Sequence, residues 1–161
     1  MKILLIGEFS AFFKNLKIGF LSLGNEVTLM AGEDSWKKID GADISINSKL
    51  PGFFGKISRR IQYLYNVIFL SKYDVILIVN PNIGLSFISK LFSILLKSKG
   101  SKIFLSACGT DVEYLNYGLS KKFDYWPYDD CSESPTRPMN VHKNIVNIVD
   151  FIIPTFYDYA E

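Results

Sequence analysis

The chain has 161 residues, of which 48% are hydrophobic, 21% charged and 15% aromatic, with 18 Lys plus Arg against 16 Asp plus Glu and a net charge of +2. This composition excludes a disordered tail, a collagen and a disulfide scaffold, and at this length one domain with a sizeable core is expected. The near-neutral total hides an asymmetry: residues 1–122 carry 16 basic against 9 acidic side chains, a net of +7, and residues 123–161 carry 2 against 7, a net of −5.

Lys2 to Ile6 (KILLI) is a nearly continuous apolar run ending at Gly7, the pattern of a strand buried on both faces of a parallel sheet. From Ala11 to Leu23, Phe13, Leu16, Phe20 and Leu23 recur at helical spacing, and Gly24 stops the helix. Glu26 to Met30 reads as a second strand and Asp43 to Ile46 as a short third, after a polar loop. A helix from about Lys56 to Leu70 carries Ile57, Ile61, Leu64 and Ile68 on one stripe, with Lys56, Arg59, Arg60 and Asn66 off it. Tyr73 to Val79 (YDVILIV) is a fourth strand, followed by the turn Asn80-Pro81-Asn82. A helix from Gly84 to about Lys97 is apolar nearly all round, and Lys102 to Ser106 is a fifth strand. Met139 to Val149 repeats Val141, Ile145 and Ile148 as a helix, and Phe151 to Ile153 is a sixth strand. Strands alternating with helices predict an α/β fold, a Rossmann-like open parallel sheet of about six strands with helices on both faces. Thr155 reads as an N-cap with Asp158 three positions on. The sequence stops at Glu161, too soon after that cap to hold a helix, so it is expected to be the first part of a longer polypeptide.

In such a sheet, ligands bind beyond the carboxyl ends of the strands, near the point where strand order reverses. Four segments follow. Gly7-Glu8-Phe9-Ser10, after the first strand, leads into a helix N-terminus whose backbone N–H groups attract an anion; Gly7 alone also suits a tight turn. GxGxxG and GxxxxGK[ST] are both missing, which disfavours the usual dinucleotide and P-loop sites. Asn80 and Asn82 offer amides to sugar hydroxyls, although turn formers need no function. Cys108-Gly109-Thr110-Asp111 follows the fifth strand; Gly109 permits close backbone approach, and Asp111 is the candidate catalytic group, orienting a hydroxyl or acting as base, with a helix cap as its structural alternative. The fourth segment, Phe123 to Pro138, holds Tyr125 and Trp126, whose rings suit sugar faces, beside Asp129-Asp130, which lacks the spacing of a D-x-D metal pair.

Two cysteines, Cys108 and Cys131, and a single histidine, His142, make neither a metal cluster nor a disulfide framework. No metal and no cofactor are expected, and nothing links His142 to Cys108 as a base. A reducing cytoplasm is the simpler setting, no signal peptide is read at the start, and no apolar stretch reaches the ~20 residues of a spanning helix. Basic residues spread over several elements speak against nucleic acid. The helices carrying Lys56, Arg59 and Arg60, and Leu85, Ile88, Leu91, Phe92 and Leu95 with Lys90 and Lys97, suit peripheral contact with an anionic bilayer, at the inner face of the membrane; burial in the domain is the plainer account.

Together, MKILLIGEFS with a helix leading to LGNEVTLM, then YDVILIVNP, ACGTD and VDFIIPTFYDYAE, resemble the N-terminal domain of a GT-B fold glycosyltransferase of the family 4-like group. Asn25 stands where relatives commonly have His. The resemblance covers almost the whole chain and implies an acceptor-binding half, with Gly7 to Ser10 and Gly109 to Asp111 on a cleft shared with a C-terminal domain. That second domain, absent from this sequence, would hold the nucleotide-sugar donor, and the acceptor would be a glycan or a lipid-linked sugar. The chain alone is then expected to be inactive in transfer, since the groups that stabilise the departing nucleotide diphosphate belong to the other half. The rival readings are a non-catalytic interaction or regulatory α/β domain, and a small nucleotide-binding enzyme complete in itself.

Overall fold

The computed structural model describes residues 1–32, 40–79, 86–107, 120 and 136–155. Among them six parallel strands form one open sheet: β1 (Lys2–Ile6), β2 (Glu26–Gly32), β3 (Ile44–Ile46), β4 (Val75–Val79), β5 (Lys102–Ala107) and β6 (Phe151–Pro154). The strand order is β3-β2-β1-β4-β5-β6. Helices α1 (Phe12–Ser22), α2 (Gly52–Phe69), α3 (Ser86–Ser98) and α4 (Thr136–Val146) connect them. The fold is thus the expected Rossmann-like α/β sheet. Chain order reverses between β1 and β4, and right-handed crossovers place α1 on one face and α2, α3 and α4 on the other.

Two cores result, one on each face, because successive residues of a strand point to opposite sides. Leu4, Ile6, Ile76, Ile78, Ile103 and Leu105 pack with Val67 of α2, Phe92 and Leu96 of α3 and Ile145 of α4. Ile3, Leu5, Val27, Leu29, Leu77 and Val79 pack with Phe13 of α1. Burying an aromatic side chain as fully as Phe13 contributes about 2–3 kcal/mol. Gly24, at φ 76, ends the chain's excursion through α1 in the left-handed region, as its type predicts.

Strand entry follows one device used three times. Asp43, Asp74 and Asp150 each stand immediately before a strand. The backbone N–H of each donates to the carbonyl of a residue on the neighbouring strand: Leu29, Lys2 and Ile103 respectively. The carboxylate of each then accepts the N–H of that same residue, at 2.7, 2.7 and 2.8 Å. A strand N–H that lies before its partner strand begins would otherwise go without a sheet acceptor. The aspartate supplies one, and lengthens the pairing by a residue.

Helix α2 departs from the expected pattern in two ways. It begins at Gly52 rather than Lys56, and Gly55 lies inside its first turn, where a Cβ would overlap the Leu50 carbonyl oxygen. Of the stripe Ile57, Ile61, Leu64 and Ile68, Leu64 packs against the core on the sheet, whereas Ile61 and Ile68 turn to solvent. Gly55 and Val67 are the buried positions, Tyr63 packs beside them, and Ile61 and Ile68 are 56% and 50% exposed. Gln62 secures the helix to the end of β3, its amide accepting from the Asn47 N–H at 3.1 Å and donating to the Asn47 carbonyl at 2.6 Å. Among the described residues, no helix is long and apolar enough to cross a membrane.

Candidate functional site

The carboxyl edge of the sheet at the strand reversal is the site the topology offers. Ile6 pairs with Ile78, Val79 with Ser106 and Ala107 with Pro154, so the chain leaves β1, β4 and β5 side by side along that edge. Gly7 adopts φ 91, and its N–H donates to the Met30 carbonyl at 2.9 Å. A Cβ on Gly7 would overlap the Val79 carbonyl oxygen. Both conformation and space therefore demand glycine, and the loop after β1 is held directly against the end of β4.

The next residue fills the helix terminus. Glu8 Oε1 accepts the N–H of Phe9 at 2.7 Å and of Phe13 at 3.1 Å, and Oε2 accepts the N–H of Lys14 at 2.9 Å. The Phe12 N–H donates to the Phe9 carbonyl at 2.8 Å. The side chain of Ala11, the residue at the cap position, cannot do this work. The first-turn N–H groups of Phe13 and Lys14 are thus satisfied by a carboxylate five and six residues back, which also complements the helix dipole.

Reaching back that far bends the chain: Ser10 and Ala11 both take positive φ, 51 and 65, a conformation costly for residues with a Cβ. Phe9 and Ser10 are exposed at the tip, while Gly7 and Glu8 are half-buried. The loop therefore presents an aromatic ring and a serine outward, with a fixed negative charge behind them.

Of the other residues expected at the site, Asn80, Asn82, Cys108, Gly109, Thr110, Asp111, Tyr125 and Trp126 lie outside the described residues, as does Asp158. Thr155 continues the sheet: its N–H donates to the Ala107 carbonyl at 2.9 Å, and its hydroxyl lies 3.2 Å from that of Ser106. Sequence reasoning passed over Ser106 as the end of a strand and did not foresee the Val79 carbonyl against Gly7. The polar residue closing an otherwise apolar strand was the available signal for Ser106; the Val79 contact has no sequence signal, because it depends on which strands are neighbours.

Tyr63 of α2 reaches the Gly32 backbone at the end of β2. Burial pushes its phenol up to about 12, opposed by a hydrogen bond with the Gly32 backbone at the end of β2 and by the charge of Arg59. It stays protonated at neutral pH and joins α2 to β2. His142 is 3% exposed within α4. Among the described residues no group of His, Cys, Asp and Glu has the arrangement of a metal site. A crevice at the opposite edge of the sheet, between Leu4, Val67, Tyr73 and Lys99, has room for little more than a water molecule.

No protein-family model and no curated protein sequence matches the chain. Among solved structures it is similar to the UDP-GlcNAc 2-epimerase from Methanocaldococcus jannaschii, with a TM-score of 0.54 and 9% identity over 97% of this chain and 40% of the epimerase chain. At that identity the likeness shows the fold alone. The chain spans less than half the length of that enzyme.

Proposed function

We propose that the chain is the acceptor-binding half of a GT-B glycosyltransferase, one that transfers a sugar from a nucleotide-sugar to a glycan or lipid-linked acceptor. In this reading the donor is held by a second Rossmann-like domain, in cis or in trans, and this chain alone does not catalyse transfer. The observation that carries it is the Glu8 carboxylate seated on the N–H groups of Phe13 and Lys14. At the strand reversal, where a nucleotide phosphate would otherwise rest on a helix N-terminus, the protein has placed its own negative charge. The donor's diphosphate is then repelled from this loop, and the exposed Phe9 ring faces the sugar. The fold it shares with an enzyme whose name includes a nucleotide-sugar supports the class without naming the substrate. Asp111, beyond the described residues, is the proposed base.

Amide chemical shifts of the chain test this, with UDP, UDP-GlcNAc and uncharged oligosaccharides added in turn. Oligosaccharides at millimolar concentration are expected to move the Gly7, Phe9 and Ser10 signals, while UDP leaves them in place. Movement of these signals by UDP, or indifference to every saccharide, would overturn the assignment.

A further inference from the structure

We propose that the outer face of α2 and α3 docks on the surface of a bilayer containing anionic lipid. This rests on surface shape and charge, independently of the function proposed above. On α2, Phe54, Ile61, Tyr65 and Ile68 follow at spacings of seven, four and three residues, which places them on one side of the helix. Each is between 50% and 69% exposed, whereas Val67 on the other side is buried. On α3, Phe87, Leu91 and Ile94 follow at spacings of four and three and are 39% to 77% exposed, while Phe92 and Leu96 are buried.

The two stripes lie side by side. The Tyr63 and Phe92 rings meet edge to face with centroids 6.1 Å apart. The Lys99 ammonium, just past α3, donates to the carbonyls of Ile68 at 3.0 Å and Leu70 at 3.1 Å, at the end of α2. Exposed Phe69 extends the patch, its ring 4.7 Å from that of Tyr65. The outer side of a helix in a doubly wound sheet ordinarily carries the polar residues. Here the outward line of α2 carries one small polar residue, the half-buried Ser58, among its aromatic and aliphatic side chains, and an apolar patch of this extent marks an interaction site.

Charge selects the occupant. Between residues 44 and 110 the sequence holds nine Lys and Arg against the single Asp74, and Lys56 and Arg59 on α2 and Lys90 on α3 are exposed. A second copy of this chain would set one basic surface against another. Anionic headgroups meet the same surface with opposite charge, and the Phe, Tyr and Ile side chains enter the boundary between headgroups and acyl chains.

Co-sedimentation of the full chain with vesicles decides the matter, using phosphatidylcholine alone and phosphatidylcholine mixed with phosphatidylglycerol. The wild type is expected to bind the mixed vesicles at least tenfold more tightly. The pair Phe54→Ser/Tyr65→Ser, at exposed positions and checked for an unchanged circular dichroism spectrum, should lower that binding at least tenfold. The pair Lys56→Gln/Arg59→Gln should narrow the preference for the anionic vesicles at least threefold. Wild type that stays in the supernatant or ignores lipid charge, or serine variants that bind as well as wild type, would overturn the proposal. So would a dimer in size-exclusion chromatography that the serine pair dissociates while no vesicle is bound, which assigns the face to a second copy.

Discussion

The carboxylate of Glu8 accepts the backbone N–H of Lys14 at 2.9 Å, six residues ahead of it in the chain. With the bond from the Phe13 N–H at 3.1 Å, Glu8 performs the task that an N-cap side chain performs elsewhere. Glu8→Ala is expected to cost about 1–2 kcal/mol, the range of lost N-caps, read as a lower urea midpoint at unchanged slope. Glu8→Gln should cost less, since it keeps one acceptor oxygen but sets an amide NH2 near a backbone N–H. Equal stability of wild type and Glu8→Ala would mean that these bonds contribute nothing net.

Gly7→Ala tests the junction of β1 with β4. The substitution meets both a φ of 91 and the Val79 carbonyl, so a loss of more than about 2 kcal/mol is expected. Gly100→Ala is the control, because Gly100 has φ 69 but open space around its Cβ. It should cost only the conformational part, about 1 kcal/mol. Equal losses in the two variants would show that contact with Val79 is immaterial.

Stability should fall with rising pH between 10 and about 12. In the unfolded chain Tyr63 ionises near pH 10, while burial holds the folded phenol neutral to about 12. The folded state binds the extra proton in that window, so its advantage is complete below pH 10 and is lost as pH rises through the folded value. Two pH units correspond to at most about 3 kcal/mol. Tyr63→Phe should flatten this part of the urea-midpoint profile.

At the acid end the sign reverses. The Ile103 N–H, and after it the Lys97 and Lys102 charges, hold the Asp150 carboxyl below its usual value of 3.8. Its contribution is present above that value and is lost as pH falls through the lower folded one. Asp150→Asn should therefore make unfolding below pH 4 less steep in a circular dichroism titration. An acid transition identical to that of wild type would remove Asp150 from the account.

Asp74 offers a further check on the strand-entry device. Asp74→Ala removes the acceptor of the Lys2 N–H at the first residue of β1. A loss of about 1 kcal/mol is expected at this exposed position, together with faster hydrogen exchange at Lys2 but not at Leu5 in the strand centre.

The β1 and β4 strands were legible because runs such as KILLI and VILIV have one physical explanation at that length, burial on both faces of a parallel sheet. Alternation with helical periodicity then implied the Rossmann-like class, and the carboxyl edge as the place for a site. Periodicity names a face but not what covers it, so Ile61 and Ile68 were legible as one stripe while its exposure to solvent was not. Which side of α2 meets the sheet depends on Val67 and Leu64 entering the core and on Tyr63 reaching Gly32. The aspartates before β3, β4 and β6 stand in the sequence as a repeated sign, yet their use requires knowing that the strand beside each belongs to Leu29, Lys2 or Ile103. Glu8 gives the same lesson at the site. Residue order marked a helix N-terminus suited to an anion, and only the folded turn, with Ser10 and Ala11 at positive φ, brought the protein's own carboxylate onto it. Local pattern is set by neighbours along the chain, whereas burial and charge pairing are set by neighbours in space.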